Sequence, residues 1–355
     1  MVDHNLNTNP LLVNVTQEDR NLIMACYATF LLMGNTLLCN SIAVDTAKKY
    51  LLAVKDYFID NNQWDPCITK QGKTAPILSA VYKEGKRWES MPNRQEPLTV
   101  EMTQHLISRS KSFHQDSPEA AMADWSSVGL QAGPRSSEWC QSNSKFFLPV
   151  TATVQQNVDG SATAFTAADF VLKNKFKRPI LLTLSLDRST VAFVSVKWRF
   201  QKNSDNGQVI TYARNLDNKD LCFVSAVISI LDRAQRLSVK PGCPIAVVMA
   251  GKKKLSPCFI TSTLVASHLQ AAATAVHHVT SKTDLARFST HSLRVGACCL
   301  LHANGKAPDY IKLRLRWRSD SYKDYLRDVA MLATEHAAVI HRAVIASQGT
   351  ASQRS

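Results

Sequence analysis

The chain has 355 residues, and its 42 Lys and Arg against 28 Asp and Glu leave a formal charge of +14, with 45% hydrophobic and 20% charged residues. That balance excludes a disordered polyampholyte, and 12 Gly with 13 Pro exclude collagen-like and low-complexity classes, leaving a soluble globular protein of two or three domains. A positive excess of this size points to a polyanionic partner, nucleic acid ahead of an anionic membrane.

Residues 1–17 read as a flexible polar start without the basic region and apolar core of a secretory signal. Gln17-Glu18-Asp19 opens a helix running through Leu32, which Gly34-Asn35 stops. The run Leu22 to Cys39 carries no charge, yet Thr29, Gly34, Asn35 and Thr36 interrupt it, so it reads as a buried helix and not a membrane span. Asp45 is expected to cap a second helix, Thr46 to Phe58, in which Ala47, Tyr50, Leu51, Val54, Tyr57 and Phe58 recur at helical spacing. A third helical stretch covers Ile77 to Trp88. Residues 18–90 thus read as a small helical bundle, and residues 91–98, with Pro92 and Pro97, as a linker.

From Thr99 a helix through Leu106 opens a second domain over residues 99–328, followed by an apolar stretch, Ala120 to Leu130. Strands are expected at Phe147 to Val150, Ile180 to Leu184, Thr190 to Phe200 and Gln208 to Tyr212, the last two joined by a hairpin turn ending in Asn206-Gly207. After Leu221 the pattern returns to helix, and Lys252-Lys253-Lys254 forms a short basic loop. Ser289 or Thr290 is expected to cap a helix from His291 to Ala303 that Gly305 ends, Pro308 starts the next, and Ser319 or Asp320 the one after. Residues 329–347 form a C-terminal helix with Leu332, His336, Val339 and Ile340 on one face, and residues 348–355 a flexible tail. The fold class is therefore mainly α with a small β-sheet or hairpin, in two domains.

Residues 1–97 carry ten basic and ten acidic side chains, residues 98–355 thirty-two and eighteen, so the whole excess lies in the second part. Different duties for the two domains follow. Nine cysteines without a C-x-x-C pair, Cys298 and Cys299 adjacent in an apolar stretch, read as buried free thiols of a reducing compartment, with no disulfide framework or zinc site.

His291 and Arg294, three apart on the expected helix, share a face near its N-terminus, where the helix dipole also favours an anion. Alone, that pair is a weak signal. It is followed by Trp317 and, eight residues further, by Tyr325, inside Arg316-Trp317-Arg318-Ser319-Asp320-Ser321-Tyr322-Lys323-Asp324-Tyr325. Here the chain resembles the tyrosine recombinase (phage integrase) family, whose C-terminal signature is His-x-x-Arg, then His or Trp, then a nucleophilic Tyr. Gly133-x-Arg135-x-x-Glu138 resembles the family's first-arginine motif, and Lys202, in the expected hairpin, sits where the family places its catalytic lysine. The spacing from Trp317 to Tyr325 is one residue shorter than in most members, which resembles the eukaryotic mobile-element branch of tyrosine-recombinase retrotransposons and Crypton-like elements.

The resemblance implies a helical core-binding (SAM-like) domain over 18–90, a mixed α/β catalytic domain, and a helix over 329–347 that docks on a neighbouring subunit. It implies site-specific recombination of double-stranded DNA by a homotetramer on two DNA sites, through a 3′-phosphotyrosine and a Holliday junction, with no metal, cofactor or membrane. Arg135 and Arg294 would neutralise the phosphate, since guanidinium forks grip two oxygens and keep their proton. His291 would act as acid/base or donor, Trp317 would donate its indole N–H, Lys202 would protonate the leaving 5′ oxygen, and Tyr325 would attack phosphorus. Glu138 would orient Arg135. Lys197 competes with Lys202, and Tyr322 with Tyr325. Lys252, Lys253, Lys254, Arg314, Arg316 and Arg318 are candidates for lying along the DNA backbone. Other readings are a type IB topoisomerase-like relaxation and a domesticated, non-enzymatic DNA-binding protein. The compartment is reducing, nucleus or nucleoid/cytoplasm.

Overall fold

A computed structural model describes residues 12–34, 41–89, 94–142, 145–183, 186–200, 206–251 and 254–326. The chain divides into two compact units, residues 1–92 and 93–355.

The first unit contains three helices, α1 (Gln17–Leu32), α2 (Val44–Asp60) and α3 (Pro76–Trp88). Thr16 starts α1, its side chain accepting from the Asp19 backbone N–H. The expected cap of α2 shifts: Ala43 holds that position with no side-chain bond, and Asp45, one residue inside the helix, instead pairs with Lys48 and Lys86. An acid there still favours the positive end of the helix dipole. Met24, Ala28 and Leu31 of α1, Ala47 and Leu51 of α2 and Leu78 of α3 close the core. The loop after α2 is tied to α1 by Asn21, whose side-chain amide donates to the Pro66 and Ile68 carbonyls at 2.8 and 2.9 Å.

The second unit begins inside the segment read as linker. The Glu96 N–H donates to Arg287 O and the Leu98 N–H to Ser292 O, and Leu98 is fully buried, so residues 94–98 are tied to this unit and Leu98 joins its core. Its helices α4 (Val100–Ser110) and α5 (Pro118–Ala132) start on the hydroxyls of Thr99 and Ser117. A single turn, α6 (Ser136–Trp139), follows directly. Helix α5 is the central strut, rich in Ala, Ser and Gly, which lets neighbours approach closely. At Gly129 an added methyl would meet the Leu293 side chain at 2.6 Å.

Strands β1 (Leu148–Pro149), β2 (Phe170–Lys173), β3 (Pro179–Ile180), β4 (Phe193–Trp198) and β5 (Gln208–Ala213) come next. Then follow α7 (Phe223–Arg236), β6 (Val247–Ala250), β7 (Ser256–Phe259), α8 (Ser262–His277), α9 (Lys282–Leu285), α10 (Ser292–Ala303), α11 (Pro308–Leu315) and a 3₁₀ segment, Asp320–Tyr325. The strands form two antiparallel sheets, β3-β2-β4-β5 and β1-β7-β6. The pattern missed β2, β6 and β7, each four residues long, too short for alternation to stand out. Stacked Trp125 and Trp139, and Trp198 edge-on to Phe165, fill the core between helices and sheet. Each such aromatic contributes about 2–3 kcal/mol by leaving water.

The architecture is mainly α with small antiparallel sheets. No helix among the described residues is long and apolar enough to cross a membrane. The expected C-terminal helix over 329–347 lies outside the described residues, as do Lys202, Lys252 and Lys253.

Candidate active site

Two helix ends create the site. At the end of α5, Gly133 turns left-handed (φ 51°), and an added methyl there would meet Ala297 and Leu315 at 3.2 Å. At the end of α11, Arg316 takes the same conformation (φ 59°), unusual for a residue with a side chain. Helix C-termini leave carbonyls without intrahelical partners and carry a partial negative charge, so both ends suit cations. Arg294, in the first turn of α10, donates from Nη1 to Gly133 O and from Nη2 to Leu315 O, each at 2.8 Å. Arg316 donates from Nη1 to Ala132 O at 3.1 Å. These carbonyls offset the burial of two guanidinium groups that are only 2% and 4% exposed.

Arg135 starts α6. Its backbone N–H and its Nη1 both donate to Glu138, at 2.7 and 2.9 Å, so the carboxylate closes a capping box and anchors the guanidinium at once. Glu138 also accepts from Arg316 Nη2 at 3.1 Å. Arg135 and Arg316 thus share one carboxylate, whose charge also acts on Arg294 through space. Burial first, then the Arg316 and Arg135 cations, pull Arg294 down to about 9, while Glu138 opposes them. At neutral pH it remains a cation, and two of its five N–H donors are taken by the carbonyls. A net positive pocket results.

His291 and Tyr325 complete the cluster. His291 is the residue just before α10 and has no side-chain capping bond, a departure from the expectation that Ser289 or Thr290 would cap a helix containing it. Ser289 still contributes, accepting the His291 N–H with its hydroxyl. His291 Nε2 lies 2.9 Å from Tyr325 Oη, a geometry in which the phenol donates when Nε2 is unprotonated. The Trp317 ring packs 5.0 Å from the Tyr325 ring and carries the Arg294 guanidinium at 4.7 Å. Burial raises Tyr325 above the ordinary phenol value, while Arg294 and, more weakly, Arg135 act to lower it.

Tyr322 and Tyr325 are one 3₁₀ turn apart, and in that helix residues three apart lie on one face. The structure separates them by depth. Tyr322 is 2% exposed and packs in the core with Ile311 and Leu315, whereas Tyr325 is half-buried with its hydroxyl on His291. Beneath them, Cys299 Sγ donates to Tyr325 O at 3.3 Å, and burial pushes the Cys298 thiol up to about 12.

Of the two lysine alternatives, only Lys197 lies among the described residues. Trp198 turns toward Arg316, whose guanidinium carbon is 3.2 Å from the indole centroid, so by strand alternation the exposed Lys197 faces the other way. Gly207 and Gln208, at the start of β5, line an open groove of about 560 Å³ with Lys312, Arg316 and Trp317.

Of the basic run expected along a DNA backbone, the members take different places. Arg316 is buried, a correction to that expectation, because its guanidinium is used inside the protein on Glu138 and Ala132. Lys312 pairs with Asp309 and Asp320, Arg314 lies 4.5 Å over the Tyr212 ring, and Arg318 and Lys254 are exposed. Arg316 stands between Arg314 and Arg318, each one apolar residue away, so it reads as one more surface cation and gave no signal of this role. Among the described residues no group of three His, Cys, Asp or Glu is arranged to hold a metal ion.

No family model matches the chain, and no curated protein does. Solved structures give partial likenesses. A lambda integrase dimer bound to a COC′ core site is 14% identical, covering 93% of this chain and 85% of that one, with a TM-score of 0.43. The Tn1549 transposon integrase in complex with circular intermediate DNA is 12% identical, over 91% and 86%, at 0.41. The XerH site-specific recombinase bound to palindromic difH substrate, a post-cleavage complex, is 14% identical, over 93% and 74%, at 0.48.

Proposed function

We propose that this chain is a tyrosine-type site-specific DNA recombinase that cuts and rejoins strands through a 3′-phosphotyrosine. The observation that carries the reading is the Tyr325 hydroxyl held 2.9 Å from His291 beside a cluster of arginines. A phenol next to a base and cations suits attack on a phosphodiester, whose charge deepens in the transition state.

In the proposed step Tyr325 Oη bonds to phosphorus, its proton passes to His291, and the bond from phosphorus to the 5′ oxygen breaks. The leaving oxygen takes a proton from Lys202, and rejoining reverses the exchange without loss of bond energy. Arg135 and Arg294 hold the non-bridging oxygens, and each such donor is worth about 3–4 kcal/mol in a dry site. Trp317 offers its indole N–H, a donor that does not titrate. Arg318 and Lys254 contact backbone phosphates. The enzyme works as a homotetramer on two sites, passes through a Holliday junction, and belongs to a mobile element in a reducing compartment, nucleus or nucleoid/cytoplasm.

The test uses labelled nicked duplexes drawn from DNA flanking the chain's own gene, incubated without metal and resolved on a denaturing gel. Wild type is expected to give a protein band carrying label, Tyr325→Phe none, and Tyr322→Phe an undiminished one. Absence of any covalent band while the duplexes still shift would overturn the enzymatic reading, and a band lost in Tyr322→Phe would overturn the choice of nucleophile.

A further inference from the structure

We propose that Arg316 is the positioning residue of the first arginine: it holds Glu138, and Glu138 holds Arg135 against the phosphate. The catalytic consequence rests on the recombinase reading above; the positioning itself does not.

The site gives Arg316 three contacts at once. Nη2 donates to Glu138 Oε2 at 3.1 Å, Nη1 donates to Ala132 O at 3.1 Å, and the guanidinium plane covers Trp198 with its carbon 3.2 Å from the ring centroid. The side chain is fully buried. A surface arginine serving a phosphate would be open to solvent, and a residue needed only to end α11 would be glycine, which adopts a φ of 59° without steric cost. Arg316 carries both the backbone strain and the desolvation of a charge, so its guanidinium has a task inside the protein.

That task is legible in the sharing of Glu138. Oε1 accepts from Arg135 Nη1, while Oε2 accepts from the Arg135 backbone N–H and from Arg316. Arg316 and Ala132 O therefore tie the carboxylate to the end of α5, the same helix end that orients Arg294 through Gly133 O. Without Arg316, Glu138 keeps one cationic partner and can rotate with it, and a guanidinium displaced by about 1 Å loses about 100-fold in rate. Burial lowers Arg316 from the ordinary arginine value, and Glu138 acts to restore it, consistent with a cation kept in place by this carboxylate.

Two measurements on the full chain test the proposal. The first follows the Arg135 side-chain N–H signal by ¹⁵N-arginine NMR, assigned with Arg135→Lys. In Arg316→Gln that signal is expected to lose its distinct shift and its protection from solvent exchange, with Arg316→Lys intermediate; an unchanged Arg135 signal overturns positioning. The second is a double-mutant cycle on covalent-adduct formation. Arg316→Gln should slow the reaction about 100-fold in the wild-type background and scarcely at all in Arg135→Lys. Losses that multiply would overturn the proposal, because they mean that Arg316 acts independently of Arg135. If Arg316→Gln fails to fold, Arg316→Lys carries both measurements. If wild type forms no adduct, the recombinase reading fails while the NMR result still decides the positioning.

Discussion

Gly296→Ala is the sharpest test of how α10 is seated. Gly296 lies two residues after Arg294, and a methyl group there would sit 2.2 Å from the Leu98 carbonyl oxygen and 3.0 Å from Leu98 C and N. Those atoms are backbone, so no side chain can swing aside, and relief requires α10 and residues 96–98 to part by about 1 Å. Overpacking of this kind costs about 1–3 kcal/mol. Stretching the Leu98 N–H to Ser292 O bond, 2.9 Å in the structure, adds about 1 kcal/mol, while the better helix propensity of alanine returns about 1 kcal/mol. The net is a destabilisation of about 1–3 kcal/mol, or roughly 2–4 °C in Tm per kcal/mol for a unit of this size. Because α10 also bears Arg294 and follows His291, adduct formation should fall about 100-fold. Urea unfolding gives the stability change, read as a lower midpoint at unchanged slope, and the gel assay gives the rate. Gly305→Ala is the control: nothing lies within 4 Å of it, so only its φ of 67° is strained, costing about 1–2 kcal/mol without moving Arg294. A Gly296→Ala protein as stable and as active as wild type would refute this packing.

Arg294→Lys keeps the charge but replaces a fork bonded to two carbonyls with a single ammonium, so adduct formation should fall at least 100-fold with about 1 kcal/mol of stability lost, as read by gel and urea titration. Trp317→Phe keeps most of the packing against Tyr325 and Arg294 but removes the indole N–H. About tenfold slower adduct formation with a Tm within a few degrees is expected, and an unchanged rate would deny the N–H a role. Tyr325 is raised above 10 by burial, so the phenolate absorbance lost in Tyr325→Phe should titrate above pH 10, and a midpoint below 10 contradicts the site. Since the raised value belongs to the folded state, the stability it adds is present below pH 10 and lost as pH rises through the folded value. Wild type should therefore lose stability in that range faster than Tyr325→Phe.

The sequence by itself determined α1 to α4, α10 and α11 and the order of the site residues. Amphipathic spacing and hydroxyl caps, such as Thr99 before α4, are local, and Arg135, His291, Arg294, Trp317 and Tyr325 form a pattern that needs no coordinates. Short strands such as β2 escaped because four residues carry too little periodicity, and the true cap of α2 escaped because Asp45 also serves a first-turn role. The tertiary structure supplied the contact of Tyr325 with His291 that the spacing alone could not show. Spacing from Trp317 favours Tyr325 over Tyr322, and packing with Ile311 and Leu315 buries Tyr322 while Tyr325 stays half-open with its hydroxyl on His291. The tertiary structure also decided the fate of Arg316. A charged residue among alternating cations reads as solvated, and only the meeting of two helix ends, with Glu138 between them, provides the carbonyls and the carboxylate that make its burial favourable. Those partners lie 184 and 178 residues away along the chain, a separation at which no local pattern operates.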